Sequence, residues 1–376
     1  MDVIELTSKL IEFKSISPDD GGSLNFIIKI LEQNKFKCNK LIFGEQEKKT
    51  TNLYASLTKG NGPNICFAGH TDVVPPGDLD NWTSDPFKAK INNGYIFGRG
   101  ACDMKGAVAA FLVSLIRFSK NHNFNGTVSL ILTSDEEGTA DYGTKKVIEW
   151  IKEKKIKIDY CLVGEPTNPG HLGQMVKIGR RGSLNGKLIV KGKQGHVAYP
   201  EKCINPNKIL LSFCNELYKP FDKGSENFQP SNLEITSIDV NNQVTNLIPR
   251  DATVKFNVRF NNSFSSDSIV NKIKNRLDKI NKNYELEVKV SGESFLNFSK
   301  KMNKLMTQSI YEITGKTPDL STSGGTSDAR FIAQICPVIE FGLVGQTMHQ
   351  VDENVLTDDI ISLTEIYFLF LRKILC

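Results

Sequence analysis

Histidine is scarce in this chain, so the surroundings of each histidine are informative. Of the five histidines among 376 residues, His70 ends the apolar run NICFAGH, and TDVVPPGD follows it. In open α/β sheets, ligands and metal ions collect at the carboxyl ends of the strands. Asp72 is placed to accept a hydrogen bond from the second ring nitrogen, as metal-bound imidazoles usually require. A lone histidine at a strand end is more often structural, but the H-x-D pair favours a metal site.

Carboxylates follow other apolar runs in the same way. Asp103 lies in the glycine-rich turn GRGACDMKGA, and Glu136 and Glu137 come directly after TVSLILTSD. Glu165 follows the run in LVGEPT, and a second histidine, His349, lies in GQTMHQVDE after VIEFGLVG. Simpler interpretations exist, because an Asp before a helix is usually an N-cap and paired glutamates usually lie in a solvated loop. Each residue alone is therefore a weak indication of chemistry.

The combination is more specific than its parts. Zinc accepts imidazole nitrogen and carboxylate oxygen as ligands. Two ions about 3.5–4 Å apart that share one carboxylate need about five protein ligands and a water between them. The two histidines and the carboxylates that follow the strands match this inventory. The sequence therefore predicts a two-metal hydrolytic site.

Strands and helices alternate in the part of the chain that carries most of these residues. Apolar periodicity predicts helices at 3–14, 24–34, 106–118 and 144–154, and strands near 52–57, 64–68, 127–133 and 159–164. Strands that alternate with helices of this length indicate a mostly parallel sheet covered on both faces. The predicted class is α/β.

The pattern changes after about residue 180. SLNGKLIVKG predicts a strand and 206–218 a helix; LEITSIDV and ATVKFNVRF predict strands, 266–282 a helix, and YELEVKVS a last strand. This β-α-β-β-α-β order is that of the split βαβ sandwich. From about residue 293 the α/β pattern resumes and runs to a terminal helix at 357–374. We therefore expect a catalytic domain of residues 1–179 and 293–376, with residues 180–292 inserted as a second domain.

These segments resemble a known enzyme family. GHTDVVPPGD, GRGACDMKG, the DEEG turn, GEPT and the late histidine are similar to the co-catalytic zinc family of aminoacylases, deacetylases and desuccinylases. The similarity runs along essentially the whole chain. It implies a zinc-peptidase-like catalytic domain, an inserted ferredoxin-like α+β dimerisation (lid) domain, and hydrolysis of a linear amide. The implied cofactors are two Zn²⁺ ions per subunit, one of them replaceable by Co²⁺ or Mn²⁺.

The resemblance implies a role for each candidate metal ligand. Asp103 would bridge the two ions, with His70 and Glu165 at one ion and Glu137 and His349 at the other. The family also implies a cis peptide bond between Asp103 and the residue after it. One position departs from the family, because Gly345 stands where an Asn is expected before the metal-binding histidine.

The same resemblance implies three catalytic residues. Glu136 would be the general base, and Asp72 would orient the first metal-binding histidine. His196, in GKQGHVAYP, would reach the active site of the other subunit of a homodimer and stabilise the oxyanion. The simpler interpretation of His196 is a surface histidine on a loop, but Gly195 and Tyr199 match the family.

Three further segments narrow the resemblance to the desuccinylases. These are GRRGS at 179–183, VTNLIP at 244–249 and STSGGTSDARFI at 321–332. They imply a small-molecule substrate with several carboxylates, which arginine binds well in bidentate geometry. Without the resemblance, the arginines could be ordinary surface charges. The implied substrate-binding residues are Arg180, Ser183, Tyr199, Asn246, Arg259, Gly325 and Thr326.

Composition excludes several other classes of function. The formal net charge of +5 is spread thinly, with no basic block interleaved with aromatics, which argues against nucleic-acid binding. No apolar run approaches the roughly 20 residues that span a bilayer. The N-terminal segment MDVIELTSKLIEF contains acids and predicts an amphipathic helix, which does not fit a signal peptide. Eight cysteines without a C-x-x-C pair favour a reduced, cytoplasmic compartment.

Two alternatives remain open at this level. Another amidase of the same family, such as an acetylated amino-acid deacetylase or a dipeptidase, would have the same metal ligands. A metal-binding scaffold without catalysis is the alternative from a different class. The glutamate assigned as base argues against a scaffold, because a scaffold has no need of one.

Overall fold

The structure is a computed structural model that describes residues 1–45 and 48–376. Its α-helices are α1 (Val3–Glu12), α2 (Ser23–Gln33), α3 (Gly106–Asn121), α4 (Thr144–Glu153), α5 (Pro206–Leu217), α6 (Ser266–Leu277), α7 (Lys300–Thr314), α8 (Ala329–Ile332) and α9 (Thr357–Leu375). Its strands are β1 (Lys37–Glu45), β2 (Lys48–Lys59), β3 (Asn64–His70), β4 (Lys90–Asn92), β5 (Tyr95–Phe97), β6 (Gly126–Thr133), β7 (Tyr160–Val163), β8 (Met175–Lys177), β9 (Gly179–Arg180), β10 (Gly182–Lys191), β11 (Gly195–His196), β12 (Asn232–Asp239), β13 (Leu247–Ile248), β14 (Asp251–Phe260), β15 (Tyr284–Gly292), β16 (Phe295–Leu296), β17 (Asp319–Ser321), β18 (Val338–Glu340) and β19 (Asn354–Leu356).

The chain divides into two compact units. The first contains Met1–Ile178, Asn297–Ser321 and Ser327–Cys376, and the second contains Gly179–Leu296 and Thr322–Thr326. The second unit thus takes in a short segment from late in the chain, a feature that the sequence did not indicate.

The first unit is built on an eight-stranded sheet in the order β1-β2-β6-β3-β7-β18-β8-β17. Its centre, β6-β3-β7-β18, is parallel, as is the pair β8-β17 at one edge. At the other edge, β1 and β2 form an antiparallel pair, and β2 joins β6 in antiparallel register. The prediction of a mostly parallel α/β sheet is confirmed. The sequence did not reveal β1, because none of its nine residues is buried and its apolar and polar residues do not alternate.

Aromatic packing fixes the strand that ends at His70. The ring of Phe67 on β3 stacks on Phe111 of α3, with centroids 4.1 Å apart, and meets Tyr367 of α9 edge-on at 5.8 Å. The Tyr367 hydroxyl donates to the carbonyl of Phe341 over 2.6 Å. Such aromatic pairs stabilise a core by about 0.5–1.5 kcal/mol each beyond their burial. The end of β3 is therefore held on a rigid base.

The second unit contains a four-stranded antiparallel sheet in the order β12-β14-β10-β15, with α5 and α6 packed against it. The alternation expected in ATVKFNVRF is observed, because every second side chain of β14 is buried. Phe256 and Phe260 of β14 share a core with Phe213 of α5 and Ile273 of α6. The expectation that the second helix runs to residue 282 is wrong. The helix ends at Leu277, its last buried residue, because the spacing of buried residues stops there.

All eight cysteines are free, and Cys66 and Cys161 are buried in adjacent strands, as expected of small apolar side chains. Among residues 1–45 and 48–376, no helix combines the length and apolar character that a bilayer crossing requires.

Candidate metal centre

Three neighbouring parallel strands of the first unit place the candidate residues at one edge of the sheet. His70 is the last residue of β3 and lies opposite Thr133, the last residue of β6. Glu136 and Glu137 follow β6, and Glu165 follows β7, which pairs with β3 on its other side. The carboxyl ends of these strands therefore bring one imidazole and three carboxylates together, as expected for an open α/β sheet.

Two groups of possible ligands share the carboxylate of Asp103. Its Oδ1 lies 3.2 Å from Nε2 of His70, and its Oδ2 lies 3.2 Å from Nε2 of His349. Glu165 completes the first group, with Oε1 3.8 Å from Nε2 of His70. Glu137 completes the second, with Oε1 2.9 Å from Nε2 of His349. Within each group the possible ligand atoms lie within 4.8 Å of one another. This is the arrangement that two cations bridged by one carboxylate require.

The charges around these groups fit two cations as well. Burial opposes protonation of His70, yet its hydrogen bond with Asp103 and the charge of Glu165 raise its pKa well above the usual value. Hydrogen bonds with Asp103 and Glu137 raise the pKa of His349 to about 10. Burial alone would raise the pKa of Asp103, but hydrogen bonds from His349 and His70 hold it below its usual range. An ionised carboxylate between two positive groups is the electrostatic pattern that a pair of bound cations would satisfy.

Asp72 is fully buried and supports the site through two different groups. We expected its carboxylate to accept from the second ring nitrogen of His70. Instead, Nδ1 of His70 lies 2.9 Å from the backbone carbonyl oxygen of Asp72 and 3.7 Å from its Oδ1. The carboxylate oxygen Oδ2 accepts from the backbone N–H groups of Glu136 and Glu137, each over 3.1 Å. Asp72 thus orients the imidazole with its main chain and the glutamate turn with its side chain.

Glu136 is partly buried and lies beside the candidate ligands, near several other carboxylates. It belongs to a third close group with His70 and Glu137. Burial, and then the charges of Glu165 and Asp328, raise the pKa of Glu136 well above that of an ordinary glutamate. A carboxylate with a raised pKa can both accept and release a proton near neutral pH, which is what general acid–base catalysis needs.

The turn that carries Asp103 approaches the strand ends closely. It precedes α3, and Asp103 has non-helical dihedral angles three residues before the helix begins at Gly106, so it is not an N-cap. The bond between Asp103 and Met104 is cis, as the family resemblance implies. A Cβ atom at Gly69 would lie 2.4 Å from Cε of Met104, and one at Gly164 would lie 2.7 Å from it. Glycines at these strand ends therefore leave the room that Met104 occupies.

His349 lies in a constrained loop between β18 and β19. Its φ of 62° is in the left-handed region, which costs a non-glycine residue on the order of 1–3 kcal/mol and tends to occur at functional sites. Two hydrogen bonds hold the part of the loop that follows His349. Nη1 of Arg99 donates to the carbonyl of Gln350 over 3.0 Å, and Oδ1 of Asp352 accepts from the backbone N–H of Thr83 over 2.9 Å.

Sequence reasoning missed one carboxylate at this site, Glu353. It follows His349 by four residues, is 0% exposed, and accepts several hydrogen bonds from the turn that carries Asp103. In the segment GQTMHQVDE only the histidine matches a ligand pattern. The only signal in the sequence is an acidic residue four positions after a candidate ligand, and this does not predict that the residue is buried.

In the second unit, three of the predicted residues lie close together on an exposed surface. His196 pairs with Leu247 across β11 and β13, and its Nδ1 accepts from the backbone N–H of Ala198 over 3.0 Å. The rings of His196 and Tyr199 meet edge-on with centroids 5.8 Å apart. The carbonyl of Asn246 accepts from the backbone N–H next to His196, that of residue 197, over 3.1 Å.

The remaining predicted residues lie elsewhere in the second unit. Ser183 and Arg259 are direct partners across β10 and β14. Nη1 of Arg180 donates to the carbonyl of Ser323 over 3.4 Å, within the segment that also contains Gly325 and Thr326. Arg259 is half-buried, and burial lowers its pKa. These residues are thus drawn from three separate stretches of the chain.

Comparison with known proteins agrees with this geometry. Residues 66–373 match the model of peptidase family M20/M25/M40. The chain is 49% identical to the succinyl-diaminopimelate desuccinylase of Pelagibacter ubique (strain HTCC1062), over 98% of each chain, and 46% identical to that of Gluconacetobacter diazotrophicus, over 99% of this chain and 97% of the relative. The fold is similar to that of the M20 family metallo-carboxypeptidase Sso-CP2 from Sulfolobus solfataricus, with a TM-score of 0.79 at 19% identity, over 100% of this chain and 99% of the other. The chain belongs to peptidase family M20/M25/M40.

Proposed function

We propose that this protein is a dizinc amidohydrolase that cleaves N-succinyl-L,L-2,6-diaminopimelate to succinate and L,L-diaminopimelate, a step of diaminopimelate and lysine biosynthesis. One observation carries the proposal for the reaction. The carboxylate of Asp103 turns one oxygen to each of two imidazole–carboxylate groups, beside the partly buried Glu136. Similarity to desuccinylases along nearly the whole chain supports the substrate.

Five residues of the first unit would hold the metal ions. His70 and Glu165 would bind one ion and Glu137 and His349 the other, with Asp103 between them, and imidazole with carboxylate is a donor set that zinc accepts. Cobalt or manganese could replace zinc at one position. Bound ions would supply Lewis acidity toward the amide carbonyl and lower the pKa of a water molecule toward neutrality.

Glu136 would move the proton in both halves of the reaction. Its carboxylate would take a proton from the attacking water, and the same carboxyl group would then give that proton to the departing amine. The raised pKa of Glu136 suits this exchange, because the carboxyl group keeps its proton until the amine leaves. The backbone N–H groups of Glu136 and Glu137 donate to the carboxylate of Asp72, and these hydrogen bonds hold the turn after β6 close to the end of β3.

The reaction consumes one water. A bond forms between its oxygen and the succinyl carbonyl carbon, the amide C–N bond breaks, and the electron pair of that bond goes to the amine nitrogen. His196 would donate a hydrogen bond to the oxyanion that develops at the carbonyl, a role in which one donor commonly contributes about 3–4 kcal/mol. That histidine would come from the second subunit of a homodimer formed through the second unit.

Residues of the second unit would bind the carboxylates of the substrate. Arg180 and Arg259 are the cations of this set, and Ser183, Tyr199, Asn246, Gly325 and Thr326 would provide the neutral contacts. A planar guanidinium binds a carboxylate through two parallel hydrogen bonds, so an acyl group that ends in a carboxylate would be favoured over one that does not. We place the enzyme in the cytoplasm, where its eight free cysteines would stay reduced.

The proposal is tested by the substrate preference. We expect kcat/KM for N-succinyl-L,L-diaminopimelate to exceed that for N-acetylornithine by tens- to thousands-fold, because an acetyl group leaves a buried guanidinium without its partner, which typically costs about 2–5 kcal/mol. Equal values, or a preference for N-acetylornithine, would keep the metal mechanism and reject the desuccinylase assignment. A dipeptide substrate in the same assay separates the remaining alternative within the family.

A further inference from the structure

Glu353 is a buried carboxylate with an unusual number of donors on one short segment. Its Oε2 accepts from the backbone N–H of Gly100 over 2.9 Å and from Nη1 of Arg99 over 2.8 Å. Its Oε1 accepts from the backbone N–H groups of Cys102 and Asp103 over 3.1 and 3.2 Å. Both oxygens are thus directed at the turn that carries the bridging candidate.

The main chain around Glu353 is tied to the same region. The backbone N–H of Gly98 donates to the carbonyl of Glu353 over 2.9 Å. Arg99 donates both to Glu353 and to the carbonyl of Gln350, and the side chains of the Arg99–Glu353 pair are 3% and 1% exposed. His349 directly precedes Gln350, so the contacts of Glu353 and Arg99 join the His349 loop to the Asp103 turn.

We propose that Glu353 is a positioning residue for the metal centre: it sets the separation of Asp103 and His349 before any ion binds. This inference rests on the proposed two-metal function. Hydrogen bonds to an ionised carboxylate are roughly twice as strong as neutral ones, so several converging on one side chain can hold a turn in place. If Glu353 served only to stabilise the fold through an ion pair, its contact with Arg99 would be sufficient. A positioning role explains why Glu353 also accepts from backbone N–H groups of the turn that carries Asp103.

The variant Glu353→Gln tests the proposal. In the wild type, N–H donors face both carboxylate oxygens of Glu353, and in the variant the glutamine amide replaces one of these oxygens with an NH₂ group that cannot accept. Purified wild-type and variant proteins, freed of metal, are titrated with Zn²⁺ against a chromophoric chelator and separately with Co²⁺. We expect zinc binding on the order of 10- to 100-fold weaker in the variant, the range measured when supporting residues of metal ligands are removed. The d–d absorption of bound Co²⁺ should also change. The weakening should be larger for the ion that His349 binds, because Glu353 positions both that histidine and Asp103.

Asp222 provides a matched control in the second unit. It also organises a loop by accepting from backbone N–H groups, those of Gly224 over 2.6 Å and Ser231 over 3.1 Å. Asp222→Asn should lower the melting temperature and leave zinc affinity and the Co²⁺ spectrum unchanged. If Glu353→Gln behaves like Asp222→Asn, the positioning role is rejected, and the two-metal function stands as long as the wild type binds two ions. A wild type that binds none would reject the function itself.

A measurement on the wild type covers the case in which Glu353→Gln does not fold. Hydrogen exchange is followed by mass spectrometry over peptides that span residues 98–105, in metal-free and zinc-loaded protein. We expect the N–H groups of Gly100, Cys102 and Asp103 to be protected in both forms, because Glu353 accepts from them without metal. Fast exchange in the metal-free form, with protection only after zinc is added, would contradict the proposal.

Discussion

The candidate residues of the two units differ in burial and in the number of contacts that fix them without a bound ligand. In the first unit, His70, Asp72 and Asp103 are buried, and the ring of His70 makes a hydrogen bond with each of the other two. In the second unit, His196 and Tyr199 are exposed and contact mainly each other and nearby main chain.

This difference suits the two units to different roles, the first to catalysis and the second to substrate recognition. Burial makes charges interact strongly, so a preformed site suits a reaction in which charge develops and must be stabilised without reorganisation. Exposed side chains lose their hydration when a ligand arrives, which suits the recognition of one substrate over another. We therefore expect changes in the first unit to affect the chemical step. Apart from the proposed oxyanion donor His196, changes in the second unit should affect which acyl group is accepted.

The largest expected effect comes from Glu136→Gln. The amide keeps the shape of the side chain and removes the base, so kcat should fall by about 10²- to 10⁴-fold while zinc content stays near that of the wild type. Steady-state kinetics and metal analysis of the same preparation give both values.

Glu137→Gln is the control for that change. It should lower the occupancy of one metal site, since Glu137 contacts His349 and lies in the group that shares Asp103. If Glu136→Gln loses metal and Glu137→Gln keeps it, the roles of the two glutamates are exchanged.

His196→Ala should reduce kcat by about 10²- to 10³-fold if the ring donates to the oxyanion. Mixing His196→Ala subunits with Glu136→Gln subunits sharpens the test, because a heterodimer would contain one site with both groups intact. We expect part of the activity to return on mixing. No recovery, despite subunit exchange demonstrated by native mass spectrometry, would place His196 within its own subunit or outside the reaction.

Arg180→Ala and Arg259→Ala should reduce the preference for a succinyl over an acetyl group. The loss should come from the succinylated substrate, at about 2–5 kcal/mol for a contact made directly to its carboxylate. Arg181→Ala is a matched control, because Arg181 lies next to Arg180 and its Nη1 donates to Asn232 over 2.9 Å. Equal changes of kcat/KM for both substrates would exclude the arginines from recognition of the acyl group.

The smallest expected effect is the pH dependence of zinc binding. Hydrogen bonds and neighbouring charges raise the pKa of both His70 and His349, the latter to about 10. At pH 7 the metal-free protein should therefore hold protons that an incoming ion displaces, so apparent zinc affinity rises with pH and falls as pH decreases. The gain is about tenfold per pH unit for each proton displaced. Calorimetry in two buffers of different ionisation enthalpy counts these protons, and an affinity independent of pH between 7 and 9 would contradict the assignment.

The local sequence pattern predicts much of the structure of the first unit. Strands such as NICFAGH are largely apolar because both faces are covered, and polar residues at or shortly after the end of each strand mark the sheet edge where ligands collect. The positions of His70, Glu136 and Glu165 close to strand ends agree with that rule. The proposed bridging role of Asp103 comes from the family resemblance, because a glycine-rich turn by itself predicts only a cap.

The features that sequence did not reveal depend on distant contacts. Glu353 is buried by a turn whose Cys102 lies 251 positions earlier, and such a contact leaves no local pattern. The hydrogen bond that the backbone carbonyl of Asp72 accepts from the His70 ring could not be predicted, because sequence does not show whether a residue accepts through its side chain or its main chain. Residues Thr322–Thr326 join the second unit through contacts with a chain segment more than a hundred residues away, such as that of Arg180.

The most direct test of the account is a zinc titration of the metal-free enzyme with N-succinyl-L,L-diaminopimelate as substrate. Hydrolysis is recorded as zinc is added, in the wild type and in Asp103→Ala. We predict no turnover without metal, activity that rises as up to two zinc ions bind per subunit, and damage to both sites in Asp103→Ala because the bridging carboxylate serves both ions. Full activity of the wild type without bound metal would contradict the two-metal mechanism.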